Sequence, residues 1–544
     1  MDIDKDRAAF AFAFDLEQAR RGTEQEHSLS FTQGLKTYRK AVGWSMLFSL
    51  AIIMEGYDTT LLQSFFAFPV FVQRYGAPVY YSSGPRAGEV QRYELSAAWQ
   101  SGLSNGAHVG EIIGLFITGL VSERIGYRRI MGCATLSLAA FICVLFFAPD
   151  LPTLLVGEIL CGVPWGVFQT VTTAYAAEVC PVALRGYLTT YVNLCWVIGQ
   201  FIATGVLRGF LHRADVWSYR IPFALQWVWL PFILASVWFG PESPWWLVRR
   251  GRIDEARRVL DRLHSSSSSS SSSSIQKEEK ELDNTLAMML YTSEIESNLK
   301  ARQSTSSFTD CFRGTDRRRT EITCITWAIQ ALCGSSFMGY STYFYQQAGL
   351  DASQSFNMSL GQYGFGVVGT LFSWVLMARF GRRGLYVFGL FALTVILFSV
   401  GFVSLSTSSV ASWVIGSLLL LFTFTYDCTI GPVCYSIVAE IPSTQMRAKT
   451  IVLARNVYNM LMIVNGVIVP RMLNPTAWDW KGRAGFFWGG VTVVLFVWAF
   501  FRLPESKGRT FAEMDLLFER GVKARRFGGV DVFIGNVQTQ GRDG

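Results

Sequence analysis

Runs of about twenty predominantly apolar residues recur roughly twelve times along the chain, at 42–68, 98–121, 128–148, 152–176, 187–210, 221–240, 320–345, 356–378, 384–405, 410–438, 448–472 and 484–502. At 1.5 Å per helical residue such a run crosses a hydrocarbon layer about 30 Å thick. The pattern therefore predicts an all-α membrane protein of about twelve transmembrane helices. Between the first two runs, Arg74 to Ala97 is polar and carries Pro78, Gly84, Pro85 and Gly88, which reads as a loop. From Pro244 to about Thr320 the pattern becomes charged and helix-favouring, and Arg252 to Leu260 has amphipathic spacing, so a polar linker of surface helices is expected there. Inside it Ser265 to Ser274 is an unbroken serine run, which cannot bury a core and is expected to be a flexible insert.

Charge placement orients the spans. Arg124, Arg128 and Arg129 follow the second run and Arg379, Arg382 and Arg383 the eighth, whereas the short connections after the third, seventh and ninth lack Lys and Arg. The positive-inside rule then puts the basic turns, the linker and both termini in the cytosol. The expected organisation is a tail (1–41), a six-helix half (42–242), the linker (243–319), a second six-helix half (320–505) and a second tail (506–544). No long apolar core occupies the first forty residues, so the first span is expected to act as the insertion signal.

Composition agrees: 51% of residues are hydrophobic and 16% charged, which is too apolar for a soluble chain of 544 residues. The net charge of +8 would otherwise suggest nucleic acid, but basic turns account for it. Ten cysteines show no metal-type pair, and Cys143, Cys161, Cys195, Cys428 and Cys434 within apolar runs read as small buried hydrophobes. With no nucleophile constellation, phosphate loop or metal cluster, an enzyme is not expected, nor any cofactor.

Chemistry concentrates in the first span, where Glu55 and Asp58 lie one helical turn apart. A carboxylate at bilayer depth costs about 2.5–3.5 kcal/mol even on a lenient scale, so two together imply proton carriage, polar-solute binding or an ion pair. Glu111, Glu158 and Asp427 are further intramembrane acids, and Arg455 is the conspicuous intramembrane cation. The chain also echoes itself. Glu178 precedes Arg185, and Glu440 precedes Arg447, by seven residues; Glu440 lies 262 residues after Glu178, and Glu505 of the second Pro-Glu-Ser lies 263 after Glu242 of the first. Parallel duplication of six spans is a transporter architecture with a midplane site between halves.

Gly119-Leu-Val-Ser-Glu123-Arg124-Ile-Gly126-Tyr127-Arg128-Arg129, Glu178-Val-Cys-Pro181-Val-Ala-Leu-Arg185-Gly186, Pro241-Glu242-Ser243-Pro244, Arg379-Phe-Gly381-Arg382-Arg383 and Pro504-Glu505-Ser506 together resemble the sugar porter family of the major facilitator superfamily. Trp99-Gln100, Cys161-Gly-Val-Pro-Trp165-Gly, Tyr191-Val-Asn193 and Gly339-Tyr340 through Gly349 look like its fungal α-glucoside (maltose) permease branch. The resemblance implies proton-coupled disaccharide import through the plasma membrane, with a sugar, a proton and the bilayer as partners and the monomer as working unit. The alternatives are a passive facilitator, against which Asp58 argues, and a non-transporting sugar sensor of the same fold.

The resemblance also assigns residues. It gives Asp58 the place of the proton-coupling acid and puts Glu158 where the family has an arginine; from the charges themselves, Glu55 and Glu111 are expected to share protons with Asp58 under mutual repulsion and desolvation, with Arg455 opposing them and Asp427 as a further acid. Sugar contacts fall to Gln330, Asn193, Gln362, Tyr435 and Ser336, with Ala331, Gly366 and Tyr435 departing from the family in ways that imply a substrate larger than a hexose; Asn459 and Gln200 are added as polar candidates within spans. Asn105, Gln169, Gln200 and Asn456 also read as helix-to-helix bonds, and Tyr340, Tyr343 and Tyr345 as either sugar platforms or an interface belt. A cytosolic gate is expected from Glu123, Arg124, Arg128, Glu178, Arg185, Arg379, Arg382, Glu440, Arg447, Glu242 and Glu505.

Overall fold

The computed structural model describes residues 17–529 except 23, 27, 81–89, 266–271, 303–307, 348, 407, 444, 445, 476, 508 and 510. Ten of its helical segments are long and apolar enough to cross a membrane. The remaining two expected spans are helical but atypical. The first is split at Ser49 into Arg39–Phe48 and Leu50–Phe65, and the second, Ala97–Ile125, has its hydropathy lowered by Asn105, His108 and Glu111. The spans that follow are Tyr127–Phe147, Leu151–Val179, Val182–Phe210, Trp217–Phe239 with a 3-10 turn at Leu225–Val228, then Gly314–Gly339, Ala352–Arg379, Arg382–Val403, Ser409–Glu440, Arg447–Leu473 and Ala484–Arg502.

Packing repeats between the two sets of six. The first span lies on the fifth, the second on the fourth and the third on the sixth; likewise the seventh lies on the eleventh, the eighth on the tenth and the ninth on the twelfth. Contacts between the sets run through the second and eleventh spans and through the fifth and eighth. Glycines set the closest approaches: Gly56 and Gly199 bring the first and fifth spans to backbone contact, and Gly110, Gly114, Gly162 and Gly166 do so for the second and fourth. Small residues at crossings are how helices pack without a hydrophobic driving force.

Two spans are broken where polar backbone is needed. The seventh stops at Leu332 and resumes as Ser336–Gly339 and Ser341–Gln347, with Gly334 at φ +91 between them. The tenth is interrupted at Thr429, leaving Ile430–Glu440 as its second piece.

The expected loop between the first two spans contains a two-stranded antiparallel hairpin, Ala77–Tyr80 against Val90–Glu94. The linker holds helices Pro244–Arg249, Ile253–Leu263 and Ser272–Arg302, with Ala256, Leu260 and Leu263 of the second buried as its spacing predicted. Most of the serine run lies outside the described residues, but Ser272 to Ser274 open the long linker helix. The N-terminal tail docks on the linker: Ser265 N–H donates to the Thr37 carbonyl at 2.8 Å and Lys40 Nζ to that of His264 at 3.2 Å. Cys161, Cys195, Cys428 and Cys434 are buried, whereas Cys143 is exposed on the outer surface of the bundle.

Candidate functional site

A cavity lies between the two sets of spans. Its wall includes Asn193 and Gln200 of the fifth span, Gln330 and Ser336 of the seventh, Asp427 and Tyr435 of the tenth, Glu158 of the fourth and Arg455 of the eleventh. The break in the seventh span creates part of this wall, because Ser335 Oγ turns back to the Gln330 carbonyl at 2.7 Å and Ser336 is left facing the space. Gln330 reaches across to the Gly431 carbonyl at 3.4 Å. Aromatic faces come from Trp196, Tyr340, Tyr426, Tyr435 and Tyr458. Amides and hydroxyls that reach several directions, beside aromatic faces, suit a ligand rich in hydroxyl groups and C–H surface.

Two expected contacts are elsewhere. Gln362 is buried behind the wall, accepting from Tyr345 Oη at 2.7 Å and donating to the Met338 carbonyl at 3.4 Å. Asn459, one helical turn beyond Arg455, is fully buried and is not part of the cavity wall. The three tyrosines separate as well: Tyr340 lines the cavity and donates to Ser104 Oγ at 2.7 Å, Tyr343 donates to Glu94 at 2.5 Å, and Tyr345 is held by Gln362. All three are buried, which excludes an interface belt. Gln63, Trp196, Tyr458 and Asn465 belong to the wall and were not anticipated.

The charged residues form two clusters, not the single proton-sharing trio expected of Glu55, Asp58 and Glu111. In one, Asp58 accepts from Gln226 Nε2 of the 3-10 turn in the sixth span and lies within electrostatic reach of Glu158. Among the described residues, both oxygens of Glu158 and Oδ2 of Asp58 are buried without a hydrogen-bond partner. In the other, Gln169 acts as a bridge: its Nε2 donates to Glu55, and its Oε1 accepts from Arg455 Nε at 2.8 Å. Glu111 feels Glu55 and is held by His108 Nδ1 at 3.1 Å. The Arg455 guanidinium also stands over the Trp327 ring at 4.6 Å and the Tyr458 ring at 4.5 Å. Gln226, His108 and the bridging role of Gln169 had no charge signal in the sequence. Among the described residues no cluster has the composition of a metal site.

At the linker end of the bundle the expected gate is two copies of one device. Glu242 accepts the backbone N–H groups of Tyr127 at 3.1 Å and Arg128 at 3.3 Å, and Glu505 those of Arg382 at 2.8 Å and Arg383 at 3.2 Å. Each carboxylate thus caps the free N–H groups opening the third or ninth span. Burial pushes the Glu242 carboxyl up, against those N–H groups and that of Ser243, which pull it down. Arg128 donates to the Val237 and Trp238 carbonyls at 2.9 and 2.6 Å, and Arg383 to that of Phe500 at 2.7 Å. Tyr127 Oη meets Glu178 at 3.1 Å where Arg382 meets Glu440 at 3.3 Å, so Tyr127 stands in the register position of Arg382. Ser243 and Ser506 complete the match by donating to Glu178 and Glu440.

Several expected gate pairs are replaced. Glu178 takes Arg249 of the linker at 2.9 Å, while Arg185 turns to the Ala177 carbonyl at 3.1 Å. Arg124 and Arg379 have exposed side chains and contribute carbonyls, to Arg250 at 2.8 Å and Lys507 at 3.0 Å. The side chains of Glu123 and Arg447 lie outside the described residues. Because each acid caps a span, Glu242→Ala and Glu505→Ala are each expected to lower stability by about 1 kcal/mol, read as an earlier thermal unfolding of the purified protein.

A family model described as "Sugar (and other) transporter" matches residues 44–518. The alpha-glucosides permease MPH3 of Saccharomyces cerevisiae is 43% identical over 533 residues, 97% of this chain and 85% of the relative. The maltose permease MAL31 of the same species is 42% identical over 515 residues, 94% of this chain and 81% of the relative. Among solved structures, the proton:xylose symporter XylE bound to 6-bromo-6-deoxy-D-glucose matches with a TM-score of 0.70 at 18% identity, covering 89% of this chain and 100% of that one. The partially occluded inward-open form of XylE from E. coli matches with a TM-score of 0.67 at 18% identity, over 87% of this chain and 99% of that one. At that identity the solved structures speak to the fold.

Proposed function

Since the chain belongs to the sugar transporter family of the major facilitator superfamily, we propose that it imports an α-glucoside disaccharide of the maltose type, driven by protons, by alternating access across the plasma membrane. As a member of that family it is a multi-pass membrane transporter of sugar and not an enzyme. The preference for α-glucosides rests on the two permeases named above and on a wall of amides, hydroxyls and aromatic faces. Both termini and the linker lie in the cytosol in this reading, on the strength of the basic turns.

Proton coupling rests on one observation: Glu158 of the cavity wall and its neighbour Asp58 are fully buried, with three carboxylate oxygens that lack a hydrogen-bond partner among the described residues. An unpartnered buried charge is costly, and binding a proton removes it. Glu55 and Arg455, bridged by Gln169, place opposite charges on the two sets of spans, so a change at either acid alters what holds the sets together. The monomer holds the complete cavity and is the working unit.

The test is uptake of labelled maltose in a transport-deficient host at two pH values, with sucrose, trehalose and maltotriose as competitors. Accumulation above the external concentration, medium alkalinisation on sugar addition and collapse by an uncoupler are the expected results. Uptake that equilibrates and ignores the uncoupler would replace symport with facilitation; absence of uptake in a correctly inserted protein would favour a sensor.

A further inference from the structure

At the linker end of the bundle, remote from the sugar cavity, the 3-10 turn Ala524–Gly529 closes a cleft against the ends of the seventh and twelfth spans. Five cations converge on it, Arg318, Arg502, Lys523, Arg525 and Arg526, together with Phe501. Like charges brought together at a bilayer edge repel, so their convergence needs a cause beyond orientation, for which scattered basic residues suffice. The fold holds part of the cluster in place. Arg318 Nη1 donates to the Val522 carbonyl at 2.9 Å and its guanidinium stands 5.3 Å over the Phe518 ring, while Arg525 stands 4.9 Å over that of Phe500. Arg502 is paired with Glu321, Nε to Oε1 at 3.1 Å. Among the described residues, Lys523, Arg525 and Arg526 have no carboxylate partner.

A multiply charged anion is the ligand such a cleft fits, because several guanidinium and ammonium donors give charge-assisted bonds to phosphate oxygens. The apolar side of the wall narrows the choice. Phe501, at the end of the twelfth span, is 57% exposed beside the cations, so the cleft opens onto the bilayer surface. A free phosphate has no use for that ring, whereas a phospholipid brings its headgroup to the cations and its chains to the ring. Basic pockets at the cytosolic ends of spans recognise such headgroups. The geometry points to a binding site for a phosphorylated, anionic phospholipid headgroup between Arg318, Arg502, Lys523, Arg525 and Arg526. Placing it at the inner leaflet rests on the orientation proposed above, but its existence does not.

The experiment uses the purified full-length chain in detergent, where orientation and transport play no part. Dioctanoyl phosphatidylinositol bisphosphate is titrated by native mass spectrometry, with dioctanoyl phosphatidylcholine and free inositol trisphosphate as comparisons. Saturable binding of the anionic lipid is expected, stronger than that of either comparison. With each surface cation worth about fivefold, Lys523→Ala with Arg526→Ala is expected to weaken it about thirtyfold, while Lys523→Arg with Arg526→Lys retains it. Unchanged thermal unfolding and sugar uptake show that the alanine pair is folded; if it is not, Lys523→Gln alone serves, with a loss of about fivefold expected. Wild-type affinity in the neutralised variants, no binding at all, or equal binding of the free inositol phosphate would overturn the proposal.

Discussion

Asp58→Asn is expected to leave a folded carrier that exchanges sugar across the membrane but no longer concentrates it. Asn keeps the Oδ1 atom to which Gln226 donates, and it changes volume little, so packing around the first span should survive. What it removes is a group able to gain and lose a proton. One inward charge is worth about 2.3 kcal/mol per 100 mV and one pH unit about 1.4 kcal/mol, which together support a sugar gradient of several hundredfold. The variant's gradient is therefore expected to fall from that order to unity, while counterflow of labelled sugar between preloaded vesicles and medium persists. Undiminished accumulation would remove Asp58 from the coupling step. Should Asp58→Asn accumulate normally and Glu158→Gln fail to, the proton site would move to Glu158, its unpartnered neighbour on the fourth span.

The sequence carries the spans plainly because lipid requires long apolar helices with their backbone bonds satisfied internally. It carries the duplication too, since Glu178, Glu242, Glu440 and Glu505 recur at matched spacing and turn out to occupy matched places. What it hides is which face of a helix a polar residue occupies. Gln330 and Asn193 line the cavity, while Gln362 and Asn459, chosen on the same grounds, are buried outside its wall. Neutral amides are hidden for a further reason. Gln226 and Gln169 have no charge to advertise them, and they matter only because the fold sets Asp58, Glu55 and Arg455 against them. The hairpin Ala77–Tyr80 with Val90–Glu94 was missed because its short strands are stabilised by pairing with each other, not by a long apolar pattern.

The Gln169 bridge leads to the second large effect. Gln169→Leu conserves shape approximately but deletes both the donor to Glu55 and the acceptor from Arg455, leaving two buried charges each short of a partner. Leaving a buried polar group without its hydrogen-bond partner costs about 1–3 kcal/mol, and more for a charged group. Arg455 keeps its position over Trp327 and Tyr458, and a desolvated cation–π contact is worth about 2 kcal/mol, so a total of about 3 kcal/mol over the two stranded groups is expected. Transport should suffer more than folding, because this bridge joins the fourth span to the eleventh and must release and re-form whenever the two sets of spans rock. An uptake rate at least about a hundredfold lower follows if an equivalent 3 kcal/mol is lost from the working cycle. Glu55→Gln added to Gln169→Leu supplies a neutral amide in place of the stranded carboxylate and is expected to recover thermal stability without recovering accumulation. A Gln169→Leu protein with wild-type unfolding temperature and wild-type accumulation would show that the amide merely fills space between helices; recovery of accumulation in the double variant would show that Glu55 has no part in coupling.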